Sequence, residues 1–252
     1  MIGRPEAGDP LRRGAGGDIT VRIDDRAEQV ILERLKKAAD AGARFTLISE
    51  ECGIRDFGSD RLRLLVDPVD GSNNAKRGVP YCAASLALLR GDRIGDLWVG
   101  SVIDLISGKD YTAIRGEGAW VRDGDRIVPL RTRGGEEIGM VAFEASTPKA
   151  DLEKILPLLT AGSKVRCLGA IALDLALLAA GAVDVVAMAA PSRSVDFAAG
   201  VLLLREAGGV ITDFEGDTLD GISGGLERTR PLLASANEKI HRKALERLRK
   251  VR

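Results

Sequence analysis

Two carboxylates, a hydroxyl and a glycine turn follow one another in Asp67-Pro-Val-Asp70-Gly71-Ser72. The apolar run before them, Leu62, Leu64, Leu65 and Val66, predicts a strand. Pro68, which has no N–H to donate, should end its ladder, and Asp70-Gly71 is turn chemistry. Both acids would then emerge at a strand end. Ser72 can cap a short helix whose unpaired N–H groups and positive dipole end suit a phosphate oxygen. Carboxylates repel phosphate unless a divalent cation lies between them, so the two halves of this stretch belong together only with metal. Taken alone, Asp-Pro-x-Asp-Gly is also an ordinary solvated turn, and the chemical reading depends on partners from elsewhere in the chain.

Three further acids stand at element boundaries. Phe45–Ile48 reads as a strand with Glu50 and Glu51 just beyond it. If that strand runs parallel beside Leu62–Val66, Glu50 arrives next to Asp67 and Asp70. Asp24 or Asp25 opens a helix with Ala27, Val30, Ile31, Leu35 and Ala38 on its apolar face. Asp196 opens a second, Ala/Leu-rich helix, where a plain N-cap is the alternative role. Gly14-Ala-Gly-Gly17 before the first helix lacks the Gly-Lys-Ser/Thr ending of a nucleotide loop, so it reads as a hinge and a possible flap over the site. The single histidine, His241, lies among Arg and Lys and reads as part of a solvated face, which leaves serine–histidine nucleophilic schemes without support.

The elements that must position these residues fall into two halves. At 252 residues the chain fits one large domain or two intimately packed ones. Residues 1–17 show no helical period and read as a loose arm. Tyr81–Leu89, Leu97–Ile103, Asp110–Ile114 and Ala119–Val121, separated by short turns, predict an antiparallel meander. Arg131–Gly135 is a charged, glycine-rich link, taken as a boundary between domains 1–132 and 133–252. Beyond it, Ile138–Phe143, Lys164–Leu168, Val183–Met188 and Leu232–Ala234 read as strands. Helices over Leu152–Leu159, Ala170–Ala180 and from Asp196 alternate with them, and Asn237 caps a last one. The fold class is therefore α/β, with an α+β N-terminal half.

Composition excludes several functions. Lys plus Arg and Asp plus Glu both number 37, so no overall field favours nucleic acid or an anionic membrane. Cys52, Cys82 and Cys167 form neither a disulfide framework nor a zinc motif, which points to a reducing, cytoplasmic setting. Asp174 and Asp184 interrupt the most apolar stretch, Leu168–Pro191, so a buried helix and strand fit it better than a membrane span.

The order of motifs resembles the inositol monophosphatase superfamily. The residues that carry the likeness are Ile48-Ser-Glu-Glu51, Val66-Asp-Pro-Val-Asp-Gly-Ser72 with Asn74, Val195-Asp-Phe-Ala-Ala-Gly200 and Glu206-Ala-Gly-Gly209. Within it, the chain looks like the archaeal-type enzymes that dephosphorylate both myo-inositol 1-phosphate and fructose 1,6-bisphosphate. The resemblance implies a layered α/β/α/β/α fold, a homodimer, and two or three Mg²⁺ ions. By that likeness Glu50, Asp67 and the Val69 carbonyl hold one ion, and Asp67, Asp70 and Asp196 a second. Asp24 and Ser72 orient a metal-activated water for direct attack, and the Gly71 and Ser72 amides cradle phosphate. Asn74, Gly169 and Ala170 line the substrate, with Arg166 and Arg193 as candidates for a distal phosphate or sugar hydroxyl. The substrate would be a small phosphate ester. Alternatives are hydrolysis of 3′-phosphoadenosine 5′-phosphate or NADP, or a non-catalytic regulatory protein on the same fold.

Overall fold

The N-terminal segment is ordered. In the computed structural model, which describes residues 1–59 and 61–249, a 3-10 turn at Pro5–Gly8 leads into β1 (Pro10–Arg13), paired antiparallel with β2 (Ile19–Val21). Ala7 is fully buried in a small cluster with Val21, Ile23, Val69, Ala75 and Cys82. The prolines and glycines that suggested a loose arm instead make its turns. Helix α1 (Arg22–Asp40) starts earlier than expected: Asp24 is its third residue, and its carboxylate accepts the Val21 N–H. Ile31, Leu32 and Leu35 pack on the sheet, while Val30, expected on that face, is 48% exposed.

The next strands form one mixed sheet. β3 (Thr46–Ser49) runs parallel to β5 (Arg63–Asp70), with Ser49 opposite Val66, as the convergence of Glu50 and Asp67 requires. A short β4 (Gly53–Asp56), not anticipated, folds back against β3. Pro68 does not end the strand. A register shift between Asp67 and Asp70 lets the missing donor pass through the ladder, and β5 continues to Asp70. After α2 (Ser72–Arg77) comes the expected meander: β6 (Ala83–Leu89), β7 (Leu97–Asp104), β8 (Asp110–Ile114), β9 (Gly118–Asp123) and an additional β10 (Arg126–Pro129). The eight strands lie in the order β10-β9-β8-β7-β6-β5-β3-β4.

The second half alternates strand and helix: β11 (Met140–Glu144), α3 (Pro148–Leu159), β12 (Lys164–Arg166), α4 (Ile171–Ala179), β13 (Val185–Met188), α5 (Ser194–Glu206), β14 (Val210–Asp213), β15 (Leu232–Ser235) and α6 (Glu238–Arg249). Its sheet has the order β12-β11-β13-β15-β14, with β12, β11 and β13 mutually parallel and β15 and β14 antiparallel to their neighbours.

Helices α4 and α5 are apolar all round and lie between the two sheets, α1 covers the outer face of the larger sheet, and α3 and α6 cover the smaller. The result is the α/β/α/β/α layering. Backbone of α5 approaches β7 so closely that a Cβ on Gly100 would lie 2.9 Å from the Ala199 carbonyl oxygen. Leu65, Leu89, Leu97, Leu175 and Phe197 are among the fully buried side chains of the one cluster that spans both sheets. Each contributes about 1.5–3 kcal/mol by leaving water.

His241 is not on a solvated face. It is 3% exposed, its Nε2 and Nδ1 lie 2.9 and 3.1 Å from the hydroxyls of Thr212 and Ser235, and burial pushes its pKa down to about 4. The neighbouring Arg and Lys occupy the other side of α6, and the imidazole serves the core as a neutral, hydrogen-bonded group. Asn237 caps α6 as expected, accepting the N–H groups of Lys239 and Ile240.

Candidate metal centre

Glu50, Asp67 and Asp196 come together, each offering a carboxylate oxygen within 4.8 Å of the others. They arrive from the end of β3, from the bulge in β5 and from the first turn of α5. A backbone N–H fixes nearly every acid of this region. Asp67 Oδ1 accepts Val69 N at 3.0 Å, Asp196 Oδ2 accepts Arg193 N at 2.9 Å, and Asp24 Oδ2 accepts Val21 N at 3.3 Å. Asp24 and Asp196 are each the third residue of their helix, not the cap itself. Reaching back to the cap N–H leaves one oxygen of each carboxylate directed away from the helix.

The electrostatics are those of a cation site. Burial, followed by repulsion from Asp196, raises the Glu50 pKa to about 8, with Arg193 opposing the shift. Burial raises Asp196 to about 6. Asp67 is pushed well above the carboxylate range by burial and then by Glu50, Asp70 and Asp196. Three desolvated carboxylates this close are stable as anions only with a positive charge among them. Hard oxygen donors suit a divalent cation such as Mg²⁺, so the donor set fits a metal.

A phosphate turn adjoins the acids. Gly71 has φ +84°, and a Cβ there would lie 3.0 Å from the carbonyl oxygens of both Gly169 and Tyr81. Ser72 is the first residue of α2, not its cap. Its hydroxyl donates to Asp24 Oδ1 at 2.7 Å, and the Val69 carbonyl oxygen lies 2.8 Å away. One hydroxyl carries one proton, so donation to Asp24 leaves the Val69 carbonyl available to a cation.

Comparison with known proteins places this arrangement. The model of the inositol monophosphatase family matches residues 6–252. The chain belongs to the inositol monophosphatase family. A fructose-1,6-bisphosphatase/inositol-1-monophosphatase from Thermococcus kodakarensis is 34% identical over 99% of this chain and 90% of its own. A protein of the same description from Methanothermobacter thermautotrophicus is 30% identical over 98% of this chain and 90% of its own. A Pyrococcus horikoshii protein described as similar to inositol-1 monophosphatase superposes with a TM-score of 0.79 at 29% identity, covering 100% of this chain and 90% of that one. The chain is a phosphatase of this family, whose members depend on metal.

Within this inositol monophosphatase fold, the other predicted site residues are placed unevenly. Asp70 is not part of the tight acidic trio: its Oδ2 accepts Ala172 N at 2.6 Å at the start of α4, and burial raises its pKa well above the usual range. Asn74 donates its amide to the Tyr81 and Leu168 carbonyls, so it knits two turns together. Gly169 has φ +90° and fits against that amide, and Ala170 is the buried residue that precedes α4. Arg166 is exposed on β12 and donates to the Val165 carbonyl of its own strand. Arg193, expected at a distal phosphate, is 5% exposed and paired with Glu50 and Asp18. The Gly14–Gly17 stretch is a tight turn on the acids, with Gly16 N donating to the Glu50 carbonyl and Ala15 N to that of Glu51.

A second group of carboxyls escaped the sequence reading. Glu144 Oε1 accepts Gly169 N at 2.8 Å, and Asp174 Oδ1 accepts the Tyr81 hydroxyl at 2.6 Å. Asp174 Oδ2 is buried without a hydrogen-bond partner among the described residues. Burial pushes the pKa of both acids up, and repulsion from Glu144 adds to the rise at Asp174. The available signal was an Asp inside Leu173-Asp-Leu175, a charge on an otherwise apolar helix.

Among the described residues no helix is long and apolar enough to cross a membrane.

Proposed function

We propose that this protein is a Mg²⁺-dependent phosphomonoesterase acting on small polyol or sugar phosphates, myo-inositol 1-phosphate and fructose 1,6-bisphosphate foremost. The convergence of Glu50, Asp67 and Asp196 beside the Gly71-Ser72 turn carries the reading. The names of the relatives support the choice of substrates. Glu50, Asp67, Asp196 and the Val69 carbonyl would hold the cations, with Asp70 joining once it turns from Ala172 N. Bound Mg²⁺ would neutralise charge on the phosphate oxygens and lower the pKa of a water.

The chain's own groups supply orientation. Asp24, 4% exposed and held by Val21 N, accepts the Ser72 proton; the Ser72 oxygen then presents lone pairs to a water in line with the ester bond. Amides at the start of α2 face the phosphate oxygens. By family resemblance the working assembly is a homodimer.

Phosphate release from myo-inositol 1-phosphate, fructose 1,6-bisphosphate, 3′-phosphoadenosine 5′-phosphate and NADP, each with Mg²⁺ and with chelator, tests the reading. The first two should be hydrolysed fastest and only with Mg²⁺. Preference for a nucleotide would move the assignment to that branch of the family, and no hydrolysis of any would favour a binding role.

A further inference from the structure

Arg193 is the least ordinary residue of the centre. Its Nη1 donates to Glu50 Oε1 at 2.9 Å, and its Nη2 to Asp18 Oδ2 at 2.6 Å and to the Gly16 carbonyl. A guanidinium fork therefore joins three parts of the chain: the cap of α5, the acid after β3 and the loop between β1 and β2. The loop sits so close that a Cβ on Gly16 would lie 2.8 Å from Glu50 Cγ and 3.3 Å from Arg193 Cζ. Glu50, Gly16 and Arg193 thus pack as one unit. Arg228 approaches Asp18 at 3.7 Å from the exposed side.

This fork is built for charge more than for fit. Arg193 Nε is buried without a hydrogen-bond partner, an unfavourable state for a donor taken out of water. A guanidinium kept purely for structure would have that N–H satisfied. What Arg193 supplies is a positive charge at Glu50, one of the three carboxylates whose oxygens lie within 4.8 Å of one another. Arg193 holds Glu50 through Oε1, so the guanidinium draws on the same carboxylate that a divalent cation among the three acids would need.

We infer that Arg193 is a positioning residue that fastens the Gly14–Asp18 loop across Glu50 and competes with a divalent cation for that carboxylate. It does so through two separable properties. The planar fork ties the loop to Glu50, and the charge sets how strongly the acids attract metal. Loading of the centre then requires Arg193 to release Glu50, and the loop's hold on the acids weakens with it.

The inference rests on the proposed metal centre, so the test reads metal binding and loop protection in the full chain, without turnover. Calorimetric titration with Mg²⁺ is compared for wild type, Arg193→Gln and Arg193→Lys, alongside limited tryptic cleavage after Arg13 in the presence of chelator. Arg193→Gln removes charge and fork: Mg²⁺ should bind about tenfold more tightly, and cleavage should accelerate severalfold. Arg193→Lys keeps the charge and loses the fork, so Mg²⁺ affinity should stay within about twofold of wild type while cleavage accelerates. This split is not produced by general loosening of the fold, which would weaken Mg²⁺ binding in both variants. Unchanged or weaker Mg²⁺ binding in Arg193→Gln, or wild-type protection of the loop in Arg193→Lys, overturns the inference and leaves the metal centre standing. If Arg193→Gln does not fold, the lysine variant alone decides through its cleavage rate. Absence of Mg²⁺ binding by the wild type overturns the metal centre itself, and the inference with it.

Discussion

Ser72 and Asp24 are 48 residues apart in sequence, and the serine hydroxyl lies 2.7 Å from the aspartate oxygen at the meeting of α1 and α2. Neither carboxylate oxygen of Asp24 is idle, since the other accepts Val21 N. Ser72→Ala should therefore separate chemistry from folding. Its kcat should fall by about 10²-fold or more, the scale for a group that holds the attacking water in line. Stability should drop by only about 1 kcal/mol, for one hydrogen bond. Steady-state kinetics with a thermal melt on the same sample check both.

The glycine of the phosphate turn is tested next. Gly71 combines φ +84° with two carbonyl oxygens 3.0 Å from any added Cβ. Gly71→Ala should destabilise the chain by about 1–3 kcal/mol, lowering Tm by several degrees, and should also cost most of the activity because the turn cannot keep its shape. A calorimetric scan reads the first effect and phosphate release the second.

Metal and pH should act together on stability. Glu50 and Asp196 are raised to about 8 and about 6, so the folded chain holds their protons more tightly than the unfolded chain does. The stability they contribute is fully present below their ordinary carboxyl range and is lost as pH rises through 6 and then 8. In chelator, Tm should fall between about pH 5 and pH 8. Added Mg²⁺ should raise Tm most at the alkaline end, because binding needs the deprotonated carboxylates. Melts across pH with EDTA or Mg²⁺ check the sign.

How much of this was legible beforehand depended on distance along the chain. The acids could be found because each stands at an element boundary, whereas the parallel pairing of Phe45–Ile48 with Leu62–Val66 entered only as a condition for their convergence, which the structure meets. Register did not follow: Pro68 passes through β5 only because a bulge absorbs it. The two arginines were harder. Nothing local distinguishes Arg166, exposed on β12, from Arg193, buried across 143 residues against Glu50. His241 was hidden for the same reason, since Ser235 and Thr212 reach it from strands of the smaller sheet.

His241 gives a prediction on the acid side. Its pKa is pushed down to about 4, so the folded chain resists protonating it. The stability this neutral imidazole contributes is present above its ordinary pKa and is lost as pH falls toward 4, an effect of about 3 kcal/mol when complete. His241→Gln lacks this titration. Its stability deficit against wild type should therefore shrink between pH 7 and pH 5, which urea melts at several pH values would read.

The account stands on Asp67, 3% exposed, within reach of both Glu50 and Asp196. Phosphate release from myo-inositol 1-phosphate with saturating Mg²⁺, wild type against Asp67→Asn, tests it most directly. The account predicts Mg²⁺-dependent turnover by the wild type and a loss of at least about 10³-fold in the variant, whose melt still shows a folded chain. Turnover by Asp67→Asn close to wild type, or equal turnover with chelator in place of Mg²⁺, would contradict it.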